Sequence, residues 1–132
     1  MREILFRGKR KDNGKWAYGY LYIRNDGQYE ISFYSKYFDS ERFTYDVIPE
    51  TVGQYIGLTD KNGKKIFEGD IVERLWLGEK HIYRIYYDSD ISSFIGADID
   101  CQGFTTFNYD SCEFEVIGNI YDNPELLLNY NK

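Results

Sequence analysis

Hydrophobic and polar residues alternate with a period of two along most of the chain, in short runs separated by Gly, Asn and Asp clusters. The hydrophobic positions are filled mainly by Tyr, Phe, Ile and Val, which favour strands over helices. The pattern predicts short antiparallel strands at 2–7, 15–23, 28–35, 43–47, 53–57, 70–76, 81–87, 93–97, 103–107 and 113–121.

Tight turns are predicted wherever Asn or Asp stands directly before Gly between two of these strands. Asn13-Gly14 separates the first two strands, Asn25-Asp26-Gly27 the next two, and Asn62-Gly63 follows the strand at 53–57. Asn and Gly tolerate the positive φ angles that two-residue hairpin turns require. The first part of the chain is therefore predicted to be a meander of hairpins.

The residue pattern near the end of the chain is typical of a helix rather than a strand, and it predicts a short helix over 124–130. Asn123 is a capping residue, Pro124 suits the first helical position, and Glu125 adds an acid to the first turn before three leucines. Because so short a helix is unstable alone in water, we expect it to lie on a barrel as a plug.

Composition fits one compact domain of 132 residues, with 42% hydrophobic and 19% aromatic residues to form a core. A division into a lobe of 1–52 and a lobe of 53–132 is the alternative, since Pro49 and a change of charge fall near this boundary. No apolar run approaches the roughly 18 to 20 residues of a membrane span, and the first residues include charges, so we expect a cytoplasmic protein.

The charge is divided unequally along the chain. The net charge of −6 argues against general nucleic-acid binding, yet residues 1–66 hold 12 basic and 9 acidic residues, whereas 67–132 hold 4 and 13. The halves thus carry +3 and −9. They can pack against each other within one chain, associate between copies, or leave a basic edge for a partner.

Residues for common catalytic chemistry are sparse. His81 is the only histidine, and we interpret it as a surface or cross-strand residue. Cys101 and Cys112 have no metal-ligand spacing and are expected to be reduced thiols. Serine-nucleophile and phosphate-loop motifs are absent, so we predict a protein that is not an enzyme and uses no cofactor.

A group of aspartates supports a further hypothesis, that the protein is an acidic enzyme that depends on a divalent metal ion. Pairs spaced by two residues would point their carboxylates to one face of an extended chain and could hold a divalent ion there. Their spacing does not match a calcium loop, and solvated turns explain them more simply. The residues concerned are Asp88, Asp90, Asp98, Asp100 and Asp110.

Two neighbouring features are the candidate binding residues. The basic run Lys9, Arg10 and Lys11 could contact nucleic acid or an acidic protein patch, or could form a solvated hairpin tip. The strand that follows alternates aromatic residues, which must share one side and indicate a core or a subunit interface. These aromatic residues are Trp16, Tyr18, Tyr20 and Tyr22.

Four blocks in order resemble the YopX family of phage and prophage proteins, and together they span essentially the whole chain. The segment 74–112 between the third and fourth blocks carries most of the aspartates and lies outside the matching pattern. The blocks are Arg2–Lys9 with Gly14–Leu21, Val52–Gly63, Ile66–Val72 and Phe114–Leu127.

The resemblance implies a mainly β protein with irregular antiparallel sheets, and it implies no catalytic residues, since the family has no established activity. With the patterns above, we expect a small SH3-like barrel in the second part. We favour an accessory protein in the cytoplasm of a bacterial host that binds a host or phage protein and self-associates. The alternative is a nucleic-acid-binding protein of phage replication or regulation that uses the same hairpin.

Overall fold

A computed structural model describes residues 3–35, 41–99, 103–106 and 113–128, and most of its regular structure is antiparallel strand. The predicted mainly β class is confirmed. A 3₁₀ turn covers Pro49–Thr51, and the one helix of the described residues, α1, spans Glu125–Leu128. The strands are β1 (Phe6–Lys9), β2 (Trp16–Ile23), β3 (Tyr29–Tyr34), β4 (Arg42–Asp46), β5 (Gly53–Thr59), β6 (Lys65–Phe67), β7 (Asp70–Trp76), β8 (Glu79–Asp88), β9 (Ser93–Asp98), β10 (Phe104–Thr106) and β11 (Glu115–Asn119).

The chain forms two compact units, Met1–Tyr55 and Ile56–Lys132, and the boundary between them falls inside β5. The predicted boundary lay three residues earlier, between residues 52 and 53. That either part folds as a separate domain stays a prediction.

The first unit is a meander in the order β4-β3-β2-β1, with the beginning of β5 beside β1. Positive φ angles at Gly14 (72°) and Gly27 (87°) close the first two hairpins, as the Asn and Asp residues before them predicted. Ala17, Ile31 and Val47 form the buried core on one side of the sheet. Phe6, Leu21, Tyr29, Tyr45 and Val52 pack around it.

The second unit has a five-stranded sheet in the order β10-β9-β8-β7-β11. Among the described residues its outer strands are β10 and β11, so the sheet stays open and the predicted closure into an SH3-like barrel is not formed. Ladders of antiparallel pairs joined by hairpins produce a sheet without requiring its edges to meet. The buried residues of this unit's core are Ile56, Ile66, Val72, Tyr83, Ile85 and Phe114.

The predicted short helix is confirmed over Glu125–Leu128, and residues 129 and 130 of the predicted range lie outside the described residues. That the helix packs on the fold as a plug stays a prediction. None of its residues is buried, and Leu128 is 71% exposed. The Asn123 carboxamide oxygen accepts from the backbone N–H of Asn119 (3.2 Å), so this side chain fixes the preceding turn. Among the described residues, no helix is both long and apolar enough to cross a membrane.

Asp60 fastens the turn after β5 to β11 and is 4% exposed. Its Oδ1 accepts from the N–H groups of Asn62 and Lys64, and its Oδ2 from the N–H of Val116, all at 2.9 Å. Burial acts to raise the pKa of Asp60, but the three N–H donors and the charge of Lys64 outweigh it, so the pKa is lowered. The group is therefore a structural carboxylate.

We predict that Asp60→Asn lowers the free energy of unfolding by ~2 kcal/mol at pH 7, because its NH₂ would face a backbone N–H and leave that donor unpaired. The folded pKa lies below the unfolded value, so the carboxylate's contribution is complete above the unfolded pKa and is lost as the pH falls through the folded pKa. In urea unfolding, the free energy of unfolding of Asp60→Asn should lie below that of the wild type by a constant amount down to about pH 5. This difference should shrink below about pH 4.

The control is Asp26→Asn, in a comparable turn where the Asp26 Oδ1 accepts from the N–H of Gln28 (3.0 Å) but the side chain is 58% exposed. We expect this change to have a small effect. The role given to Asp60 would be contradicted if both variants lost the same free energy of unfolding. It would also be contradicted if the loss for Asp60→Asn did not change with pH.

Candidate functional site

The aromatic residues of β2 point away from the core. The inward positions of this strand include Ala17, which is 5% exposed, whereas Tyr18, Tyr20 and Tyr22 are 47%, 62% and 59% exposed. Side chains that alternate along a strand lie on opposite faces of the sheet. The prediction that these residues share one side is confirmed, but that side is not the core of this chain.

Gly19 allows β2 and β3 to approach closely beneath the tyrosines. A Cβ at this position would lie 2.1 Å from the carbonyl oxygen of Ser32, a contact that backbone atoms cannot relieve without moving apart. Only a residue without a side chain fits here. The glycine therefore holds β2 against β3 at the point where Tyr18 and Tyr20 flank it.

Strand register extends the outward surface from β2 across β3 to β4. Tyr20 pairs with Ser32, which pairs with Thr44, and the two hydroxyl groups are 3.0 Å apart. The surface holds a shallow groove with a volume of about 500 Å³. We name this outward surface the tyrosine face; it consists of Tyr18, Tyr20, Tyr22, Glu30, Ser32, Tyr34, Arg42, Thr44 and Asp46.

Charge is arranged along the tyrosine face in a definite order. Arg42 lies at one end of β4, paired with Tyr34, and Asp46 lies at the other end, paired with Glu30. In the part of the chain that the structure describes, none of these three charged side chains has an ion pair or a hydrogen bond. The face thus has a cationic end that also holds Tyr34 and an acidic end that also holds Tyr22, with Tyr20 in the row between them.

The basic run does not form a cluster of unengaged cations. Arg10 donates to both carboxylate oxygens of Asp12, at 2.9 and 2.6 Å, and its guanidinium lies 3.8 Å from the ring centre of Tyr45. This hydrogen-bonded pair lowers the pKa of Asp12 and raises that of Arg10. The Lys11 amine donates to the side-chain oxygen of Gln28 (2.7 Å).

Lys9 and Trp16 are the predicted residues that the structure brings into contact. They pair across β1 and β2, and the Lys9 amine lies 5.6 Å from the Trp16 ring, which the Arg7 guanidinium also covers at 4.6 Å. Trp16 is half-buried beneath these two cations. Of the six predicted residues, Trp16, Tyr18 and Tyr20 share β2 with Lys9 beside them, whereas Arg10 and Lys11 are engaged elsewhere.

The aspartates of the metal hypothesis have separate surroundings where the structure describes them. The Asp88 Oδ1 accepts from the N–H of Asp90 (2.9 Å) in a turn, and the Asp98 Oδ2 lies 3.5 Å from the Nδ1 of His81. Asp100 and Asp110 lie outside the described residues, as do Cys101 and Cys112. Among the described residues, no three His, Cys, Asp or Glu side chains are grouped as metal ligands would be.

Sequence reasoning missed an exposed apolar tip on the hairpin of β7 and β8. Leu75, Trp76 and Leu77 are 66%, 50% and 88% exposed. Leu77 and Gly78 form the two-residue turn, with φ angles of 52° and 81°. Leu-Gly lacks the Asn-Gly signature of such turns, so the one available signal was an apolar run directly before a glycine.

The geometry describes a mainly β protein with two open antiparallel sheets and an exposed tyrosine face. Within that class the chain belongs to the YopX protein family, whose sequence profile matches residues 5–128. The crystal structure of protein EF1440 from Enterococcus faecalis is similar, with a TM-score of 0.60 and 22% identity, over 96% of this chain and 99% of that one. At this identity the likeness shows the fold alone. No curated protein matches the chain.

We predict that Leu77→Asn stabilises the protein. The left-handed conformation costs an ordinary L-residue ~1–2 kcal/mol, and Asn tolerates it better because its short side chain can hydrogen-bond locally. A gain of ~1 kcal/mol would raise the melting temperature by about 3–6 °C in differential scanning calorimetry.

Leu75→Asn is the matched control, because it removes a similar exposed leucine from a strand position without relieving a positive φ angle. We expect it to give no increase in melting temperature. A lower melting temperature for Leu77→Asn, or an equal rise for both variants, would show that the turn is not strained.

Proposed function

We propose that this chain is a non-enzymatic phage or prophage accessory protein, a protein-binding module that also self-associates in the cytoplasm of a bacterial host. The tyrosine face is its contact surface. The observation that carries the proposal is the row of three outward tyrosines on β2, each about half exposed or more. A row of exposed aromatic rings lowers solubility. Contiguous exposed apolar patches mark interaction sites, whereas single scattered apolar residues do not.

Tyrosine suits protein recognition for physical reasons. Its ring offers a large apolar area with few rotatable bonds, and its hydroxyl group can hydrogen-bond at the edge of a contact. Tyr is enriched at protein interfaces and among the residues that dominate binding energy. Ser32 and Thr44 add small polar groups between the rings, which suits a polar as well as an apolar partner surface.

The side chains with shifted pKa values make structural interactions, and this favours a binding role over catalysis. Asp60 holds a turn to β11, and Arg10 and Asp12 pair with each other in the first hairpin. Catalytic groups are usually shifted by burial in a cleft where substrate can reach them. We therefore propose no reaction for this protein.

Nucleic-acid binding is the second candidate, because exposed aromatic rings on a sheet can stack on bases and Lys9 lies beside Trp16. Two features weigh against it. Phosphate binding requires clustered cations, yet Arg10 pairs with Asp12 and Lys11 bonds to Gln28. Glu30 and Asp46 place negative charge on the same face as the rings.

The test compares Tyr20→Ser with the wild type as immobilised bait in lysates of phage-induced host cells. Tyr87→Ser is the control, since Tyr87 is 45% exposed but lies on β8. We expect at least one protein to be retained by the wild type and by Tyr87→Ser and to be lost with Tyr20→Ser. Melting curves check that each variant is folded.

Titration with single-stranded DNA and RNA at low salt decides between the two candidates. The proposal expects no binding. Binding that weakens steeply with salt and is lost when Lys9, Arg10 and Lys11 are changed to Glu would establish the nucleic-acid candidate instead. Identical capture by the wild type and Tyr20→Ser would contradict the role of the tyrosine face.

A further inference from the structure

The charges of the tyrosine face make it complementary to itself. Arg42 and Asp46 stand four residues apart on β4, or about 13 Å along the strand. Asp46 is directly opposite Glu30 on β3, so two carboxylates mark one end of the face and one guanidinium marks the other. Because the two ends carry opposite charges, the face is electrostatically complementary to a second copy of itself that is rotated by 180°.

The acidic end has no paired cation among the described residues of its unit. Carboxylates directly opposite each other on neighbouring strands repel, and neither Glu30 nor Asp46 has an ion pair among the described residues. Lys11 lines a pocket beside Asp46, but its amine is hydrogen-bonded to Gln28. A cation supplied from outside would relieve this repulsion, and Arg42 of another copy has the required charge.

We propose that a second copy of this chain covers the tyrosine face, an inference that rests on the proposed function and names the first partner of that surface. The two sheets pack face to face about a two-fold axis that lies between them. The axis runs across the strands, over the row that contains Ser32 and Thr44. This axis places β4 antiparallel over β4 of the second copy. Arg42 then faces Asp46 of the second copy, and the symmetry repeats the pair.

The alternative two-fold axis, parallel to the strands, is excluded by charge. It would place Glu30 over Glu30 of the second copy and would leave Arg42 over Tyr18 of that copy, without a carboxylate. Like charges brought together in this way oppose association, whereas the axis across the strands joins opposite charges twice. The order of charges along β4 therefore selects one of the two arrangements.

The size of the face sets the expected strength of the dimer. Three strands with a spacing of about 4.8 Å make a patch at the low end of specific interfaces, so the dimer should dissociate on dilution. The rings of Tyr20, Tyr22 and Tyr34 supply most of the buried apolar area. The opposed charges fix the register of the two copies, and salt should weaken the dimer by screening them.

Sedimentation equilibrium from low micromolar to near-millimolar protein tests the proposal with charge reversals. Arg42→Glu and Asp46→Arg should each raise the dissociation constant at least about tenfold. An equimolar mixture of the two variants should dimerise again, because the two substituted side chains would face each other and the unchanged Arg42 and Asp46 would form the second pair. Lys80 is exposed on β8, and Lys80→Glu makes the same change in net charge as Arg42→Glu but should leave the dimer intact.

A wild type that is monomeric throughout this range would overturn the proposal, as would a dimer that neither reversal weakens. These failures are distinct from failure of the proposed function. A monomeric protein that still loses a captured partner on Tyr20→Ser would keep the tyrosine face as a binding surface for another protein. Loss of the dimer in each reversed variant alone, with recovery in their mixture, would establish the arrangement.

Discussion

The complete burial of Ile31 is the constraint on which the first sheet depends. Ile31 on β3 pairs with Leu21 on one side and Tyr45 on the other, and all three contribute to the core with Ala17 and Val47. A slip of one residue in either pairing would turn Ile31 to solvent and bring the outward tyrosines into the core. The burial that stabilises the sheet thus also determines which aromatic rings and charges a partner meets.

Much of the fold follows from local chemistry that the sequence displays. The alternation of apolar residues and the Asn-Gly turns predict most strands and the meander of the first unit, because both signals act within one hairpin. The prediction of a closed barrel was wrong, since closure depends on which distant sheet edges pair. The strand Lys65–Phe67 is too short to show alternation.

The candidate site was predictable in its members but not in its orientation. Alternation placed Trp16, Tyr18 and Tyr20 on one side but left open whether that side is a core or a subunit interface, because the opposite positions are small residues such as Ala17 that do not announce a core. Proximity in sequence also suggested that Arg10 and Lys11 act together with Lys9. In space, Asp12 and Gln28 engage those two cations, a pairing that no spacing rule reveals.

A single-cysteine cross-link tests most directly whether the tyrosine face meets a second copy. Thr44 lies on the inferred two-fold axis, so Thr44→Cys, with Cys101 and Cys112 changed to Ser, should be joined to itself by a short bismaleimide, because facing sheets lie about 10 Å apart. Thr59→Cys, exposed on β5, should remain monomeric on a denaturing gel. No dimer from Thr44→Cys at near-millimolar protein, or equal linking of both variants, would contradict the account.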